Sequence, residues 1–400
     1  MIRSTALFFV AVFFFAAPAF AQHAMPSFFP ADEKEPLFVI GRAGIGADSN
    51  VLRDPDSGTR GALLRGDLRG EWEPLPDLRI LLDGVFEGDL ASTPNFIYET
   101  ESGLIVTYRK DLIGGLALSL GSFTEYTREP SVFLAGRVIA SGAALRAQFS
   151  ERFTPMLSYQ LGPIDLEAGA RGEIENVQGL EAFNELGIEP FAGIRAVVVP
   201  RFLALRVRYT FDHQIYSGLP ARDLNGDLFL NPQDLRLDIH AIRGTVRFHP
   251  ISEITAALHF DEEWILDPAA GFMTGNRQRA RTELFFEFGP LATEVAAELT
   301  LRQYTARTPS PDIMMDNRDY ADPTFEGTFD AYIDTDIWIT RFFGVYLRYE
   351  IQRYWANPTG LLYFRQLISV GPSLRFDESL AQGRSGSDSV RSAEVAARSR

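Results

Sequence analysis

Gly61-Ala62-Leu63-Leu64-Arg65-Gly66-Asp67-Leu68-Arg69-Gly70-Glu71-Trp72-Glu73 is the stretch on which the fold turns. Leu64, Gly66, Leu68, Gly70 and Trp72 share one parity, and Arg65, Asp67, Arg69 and Glu71 share the other. A helix repeats every 3.6 residues or so and cannot bring those four charges onto one face, whereas a strand repeats every second residue and must. Pro74-Leu75-Pro76-Asp77 follows as a tight turn, proline presetting its backbone angle. Leu78–Asp89 then returns with Ile80, Leu82 and Phe86 against Arg79, Asp83, Glu87 and Asp89. These are two strands of one hairpin.

The same unit recurs from Leu37 to Phe376. Later short turns fall near Lys110–Ile113, Gly162-Pro163, Pro200-Arg201, Pro250–Glu253, Gly289-Pro290 and Arg341–Phe343. Longer polar connections lie near Asp48–Thr59, Arg128–Ala140, Asn176–Gly187, Tyr216–Asp234, Asp267–Asn276, Arg307–Thr324 and Ala356–Gly360, with a brief one near Ala91–Asn95. The spacing predicts eight hairpins and sixteen strands with both ends on one side. Fourteen and eighteen stay open, because Ser141–Leu161 is long for one strand and Glu151–Pro155 could turn within it. At His240–Arg243 the alternation slips by one residue, which predicts a β-bulge.

A soluble sandwich would use strands of about five or six residues and keep its buried face free of charge. Here the strands run roughly twice that, and burying so many charges in a dry core would be prohibitive. The charged face therefore lines a wet or ion-paired interior and the apolar face points outward. The predicted fold is all-β, a transmembrane up-and-down antiparallel barrel of about sixteen strands.

The N-terminus fits export. Arg3 precedes the apolar run Ala6–Phe20, and Ala19-Phe20-Ala21 supplies a small-x-small cleavage pattern before Gln22. The expected organisation is a signal peptide over 1–21, a periplasmic lead over 22–36, the barrel over 37–376 and a disordered Ser-, Gly-, Ala- and Arg-rich tail over 377–400. With 53 acidic against 38 basic residues and a formal charge of −15, the chain lacks the basic footprint of a nucleic-acid binder. Lys34 and Lys110 are its only lysines, and it has no cysteine, so neither a disulfide nor a thiolate metal site stabilises it. A closed ring of strands satisfies its own backbone and needs no such staple.

The closing stretch carries the sharpest local motif. Gly371-Pro372-Ser373-Leu374-Arg375-Phe376 has glycine, an apolar residue and a final aromatic at the spacing of a last-strand insertion signal. In this it resembles bacterial outer-membrane β-barrels, and the resemblance covers Leu37–Phe376 as architecture. It departs from their pattern in continuing for 24 residues beyond Phe376. Gly46-Ala47-Asp48-Ser49-Asn50-Val51 resembles a segment after the first strand of barrels from surface-polymer and surface-lipoprotein export systems, and is also ordinary loop chemistry. What the resemblance implies is residence in the Gram-negative cell outer membrane and insertion by barrel-insertion machinery through Gly371, Leu374 and Phe376. It also implies contact with outer-membrane lipid and periplasmic export components as candidate partners.

The candidate pore lining follows from parity: Arg65, Arg69, Arg206, Arg208, Arg277, Arg279, Arg281 and Arg348, with Asp330, Asp334 and Asp336 as an acidic row set against Arg277, Arg279 and Arg281. Such rows either orient solutes in a conducting pore or lock a closed lumen as ion pairs. Trp72, Tyr108, Trp264, Phe286, Phe288, Phe342, Phe343, Tyr349 and Phe376 sit near strand ends, as an interfacial girdle requires. Asp223-Leu224-Asn225-Gly226-Asp227 lacks the remaining ligands of a calcium loop and reads as a surface turn.

For catalysis the one candidate is His213 with Asp212 and Ser217; no GxSxG, HExxH or phosphate loop is present. The expectation is a chain that is not an enzyme and uses no metal or cofactor. It is expected to act as a pore or export conduit for polar solutes or a surface polymer; the alternative is a non-conducting scaffold of a surface-export system. A classical porin would fold a constriction loop inward, for which only Tyr216–Asp234 and Arg307–Thr324 have suitable length.

Overall fold

In the computed structural model the alternation at period two becomes a closed ring. Residues 37–49, 61–89, 98–130, 133–134, 137–138, 145–178, 184–200, 202–222, 233–251, 253–269, 271–305, 324–357 and 363–377 are described. The signal and lead expected from the sequence, the tail apart from Asp377, which ends the last strand, and Asp223–Asp227 lie outside them.

The strands are β1 (Leu37–Asp48), β2 (Gly61–Leu75), β3 (Leu78–Asp89), β4 (Tyr98–Asp111), β5 (Leu116–Pro130), β6 (Phe133–Leu134), β7 (Arg137–Val138), β8 (Leu145–Leu161) and β9 (Ile164–Gln178). They continue as β10 (Glu185–Val199), β11 (Leu203–Pro220), β12 (Asp234–Ile251), β13 (Ile254–Leu266), β14 (Gly275–Phe288), β15 (Leu291–Tyr304), β16 (Phe325–Trp338), β17 (Phe343–Asn357) and β18 (Tyr363–Asp377). β6 and β7 form a two-residue hairpin apart from the ring. The other sixteen pair antiparallel with their sequence neighbours, β5 with β8 directly, and β18 closes on β1.

The segment 145–161 is one strand with no turn inside it. Its ladder to β9 skips only Thr154 and Pro155, between Phe153↔Gly172 and Met156↔Gly169. A proline has no N–H to give a ladder, so a local gap costs less here than a turn would.

Side chains sort by parity. Leu64, Leu68, Trp72, Leu82, Trp264, Phe288, Phe342, Leu374 and Phe376 are exposed on the outward face. Arg65, Glu87, Glu167, Glu189, Glu263, Arg281, Asp334, Arg348 and Arg365 are buried on the inward face. An outward apolar belt and an inward charged wall are the two surfaces a barrel in a membrane must have.

The bulge expected at His240–Arg243 is absent. β12 pairs with β11 without a break from Phe211↔His240 to Arg208↔Arg243, and with β13 from His240↔Trp264 to Arg243↔Asp261. The polarity inverts while the register holds. Arg243 and Ala241 face inward, and so do Leu237 and Leu235, whereas His240 sits opposite outward-facing Trp264. Toward the long-loop end the inside of this wall becomes apolar and the outside polar. That is the pattern of strands rising past an interfacial tryptophan into water.

Candidate functional site

The lumen wall divides into two sectors of different chemistry. The first surrounds the seam where β18 meets β1. Arg365 Nε donates to Asp48 Oδ2 at 2.7 Å, and Arg365 Nη2 to Glu87 Oε2 at 3.0 Å. Glu87 also accepts from Arg65 Nη1, and Arg65 Nε donates to Asp67 at 3.1 Å. Arg65 lies 4.0 Å from Glu350, which accepts from Arg348 Nη2 at 3.0 Å. Arg348 Nη1 reaches Asp334 at 3.3 Å, and Asp334 takes a second bond from Arg42 Nη1 at 2.8 Å. Arg42 Nη2 donates to Asp336, whose other oxygen accepts from Ser373 at 2.6 Å. One chain of charges thus links β1, β2 and β3 to β16, β17 and β18. It is dry: the Arg65 side chain is 2% exposed and that of Arg365 6%.

The second sector runs over β8 to β15. Arg206 and Arg208 both bind Glu167, at 2.6 and 2.9 Å. Arg243 and Arg171 share Glu189 at 2.9 and 3.6 Å. Arg152 donates to Glu173 at 2.5 Å and Arg195 approaches Asp165 at 3.0 Å. On β14, Arg277 binds Glu263 at 2.6 Å, while Arg279 and Arg281 reach Glu298 at 3.3 and 3.7 Å. Here the carboxylates Glu167, Glu189 and Glu263 are buried, but some of the arginines are wet: the Arg277 and Arg279 side chains are 32% and 37% exposed.

Every expected lining residue is inward by register, but they serve different sectors. Arg65, Arg348, Asp334 and Asp336 belong to the seam network, and Arg206, Arg208, Arg277, Arg279 and Arg281 to the wetter wall. Arg69 stands opposite Asp83 on β3, and Asp330 opposite Glu298 on β15. The aspartate row lies two strands along from the arginine row, with β15 between them; Glu298 of β15 takes up Arg279 and Arg281, while Asp334 turns to Arg42 and Arg348 and Asp336 to Arg42. Arg42 is not evident in the sequence because it sits among Ile40, Gly41 and Ala43, although it lies opposite Asp67 and shares the inward parity of Arg65.

His213 does not assemble with Asp212. Consecutive strand residues face opposite ways, and His213 points outward, where Nδ1 bonds Asp238 of β12 at 2.6 Å. Asp212 accepts from Gln214 at 2.8 Å on the inward face. Glu326 collects Tyr304 and Tyr354 at 2.7 and 3.2 Å, with Arg302 over the Tyr304 ring at 4.5 Å. Among the described residues no cluster of His, Asp and Glu is placed to hold a metal ion.

A closed antiparallel ring of sixteen strands, apolar outside and charged inside, is a barrel of the bacterial outer-membrane class. No family model and no curated protein matches the sequence. Solved structures of similar fold include OmpTdeltaL8, a loop L8 deletion mutant of the outer membrane protein OmpT of Vibrio cholerae, at 10% identity over 85% of this chain and 99% of that one, with a TM-score of 0.37. A bacterial polysaccharide outer membrane secretin matches at 9% identity over 86% of this chain and all of that one, with a TM-score of 0.41. CdiB from Acinetobacter baumannii matches at 9% identity over 85% of this chain, with a TM-score of 0.42, and the chain spans 60% of its length. Likeness at this level speaks to fold alone.

The expectation that the chain is not an enzyme does not stand. A barrel of this kind is shared across activities and leaves catalysis open.

Proposed function

We propose that the chain is a conduit in the bacterial outer membrane, passing polar solutes or a polar polymer along the wall formed by β8 to β15. The observation that carries this reading is the contrast between the two sectors. In the seam network the Arg65 and Arg365 side chains are 2% and 6% exposed, whereas Arg277 and Arg279 keep about a third of their surface in contact with solvent. Paired charges that retain water line a passage rather than a core. The outward apolar belt meets the lipid, and the signal over 1–21 delivers the chain for insertion.

Planar-bilayer recording of refolded protein under a salt gradient tests the reading. Steady openings are expected, with a preference for cations given the acidic excess of the chain. Replacing Arg277 and Arg279 together with Ala should shift the reversal potential further toward cations. A folded, heat-modifiable but silent barrel would overturn the conduit.

That silent outcome would favour the second reading, a scaffold in a surface-export system, which the dry seam network supports. Its test is pull-down of periplasmic components with and without Asp377–Arg400; unchanged capture would remove a tail-borne role.

A further inference from the structure

The connection from β13 to β14 is short, yet it is built as a folded element. Asp267, almost fully buried, organises it: Oδ1 accepts from the Ala269 N–H at 3.1 Å and Oδ2 from the Met273 N–H at 3.2 Å. The Asp267 carbonyl accepts from Gly271 N at 3.0 Å, and the Asp267 N–H donates to Thr274 Oγ1 at 3.0 Å. Gly271 adopts a φ of 82°, a left-handed conformation that glycine enters without steric cost. Thr274 O accepts from Thr305 N at 3.0 Å, tying the far side of the loop to the end of β15.

This geometry drives Phe272 and Met273 into a cluster with Leu219, Leu235, Leu237, Ile239, Ile265 and Tyr304. Phe272 is 3% exposed and Met273 6%. The strand partners in the cluster are inward-facing by register: Ile239 lies opposite Ile265, and Ile265 precedes outward-facing Leu266. The loop therefore folds over the rim and into the long-loop mouth, and its apolar underside occupies the upper lumen against β11 to β15. Burying two large apolar side chains there holds the loop against the wall.

We propose that the β13–β14 connection, through residues 267–269 and 271–274, is the constriction of the extracellular mouth, narrowing the passage from the β11–β15 side. The inference rests on the conduit reading and names the residues that anchor the loop in the mouth, Phe272 and Met273, with Asp267 as the positioning residue. The solute must then enter beside the loop, over β3 to β10, before it meets the wetter wall below.

The test is single-channel conductance of the refolded full chain, wild type against the Phe272→Ser, Met273→Ser double variant and against Asp267→Ala. Heat-modifiability establishes that each is a folded barrel. The double variant should raise unit conductance by about twofold, and Asp267→Ala should replace one level by rapid flicker between levels. A silent wild type with conducting variants would make the loop a full closure and uphold the inference. Conducting wild type and variants with identical levels would overturn the constriction while leaving the conduit intact. Silence in all three would overturn both.

Discussion

Arg365 on the last strand is hydrogen-bonded to Asp48 on the first, Nε to Oδ2 at 2.7 Å, across the seam that closes the ring. Both are almost fully buried, and the same guanidinium reaches on to Glu87 of β3. A planar fork with several donors suits such a place, because it binds two carboxylates at once in fixed directions. The seam thus has two kinds of fastening: the backbone ladder of β1 and β18, and a lumenal strap of charges that passes over it.

Arg365→Ala should therefore destabilise the barrel by about 3–5 kcal/mol, because it breaks buried pairs with Asp48 and Glu87, of which Glu87 keeps Arg65. Urea unfolding of the refolded protein reads this as a lower midpoint. Lys110→Ala is the matched control. Its pair with Asp77 at 2.7 Å lies in the open at the short-turn end, so the midpoint should not move measurably. An Arg365→Ala midpoint equal to that of wild type would mean the strap is decorative.

Gly371→Ala should block closure. A Cβ at Gly371 would collide with the Ala43 carbonyl oxygen of β1, and one at Gly46 with the Ile368 carbonyl, whereas one at Gly41 would meet nothing within 4 Å. Backbone cannot move aside as a side-chain tip can. Refolding into lipid without cellular components should thus fail for Gly371→Ala and succeed for Gly41→Ala. Efficient refolding of Gly371→Ala in vitro, paired with failed insertion in cells, would instead assign Gly371 to recognition by insertion machinery. Leu374 and Phe376 are exposed on the outward face, where a recognising surface could reach them.

Strand existence, parity and the inward set of charges were legible because a two-residue period survives any tertiary context. Arg277, Arg281 and Arg348 could be placed on the lumen side from local sequence alone. Their partners could not. Arg42 and Asp334 are 292 residues apart, and only ring closure makes them neighbours. Glu167, Glu189 and Glu263 had the right parity but no local sign that each would neutralise an arginine on another strand. The apolar cap was misread as a bulge at His240–Arg243, because an inversion of polarity at constant register and a slip of register look identical in one sequence. Distinguishing them requires knowing where the membrane stops, which Trp264 marks only once β12 and β13 are paired.

That inversion has a direct test, since the chain has no cysteine of its own. His213→Cys should react with a polar, membrane-impermeant maleimide from outside and leave conductance unchanged, because residue 213 faces out beside Asp238. Asp212→Cys should alter conductance on labelling, because residue 212 faces in beside Gln214. A conductance change at 213 would mean the wall is oriented the other way round.

Arg279→Ala and Arg348→Ala separate the two sectors most sharply. Both remove an inward arginine, so a lumen that conducts evenly would respond to them alike. Their surroundings differ. Arg279 is more than a third exposed and approaches Glu298 at 3.3 Å, a carboxylate that Arg281 also reaches at 3.7 Å, so its loss removes a wet charge while Glu298 keeps a cation. Arg348 is buried between Glu350 and Asp334 and lies 4.3 Å from the Tyr332 ring, so its loss leaves two carboxylates that water cannot reach. Charge at a wet site acts on passing ions, and charge at a dry site acts on the fold. Arg279→Ala should shift the reversal potential toward cations with an unchanged unfolding midpoint. Arg348→Ala should lower the midpoint by about 3–5 kcal/mol in stability and leave selectivity where it was in those molecules that fold. A selectivity change at Arg348 with no loss of stability would place the passage along the seam, and the wall of β8 to β15 would then be the structural one.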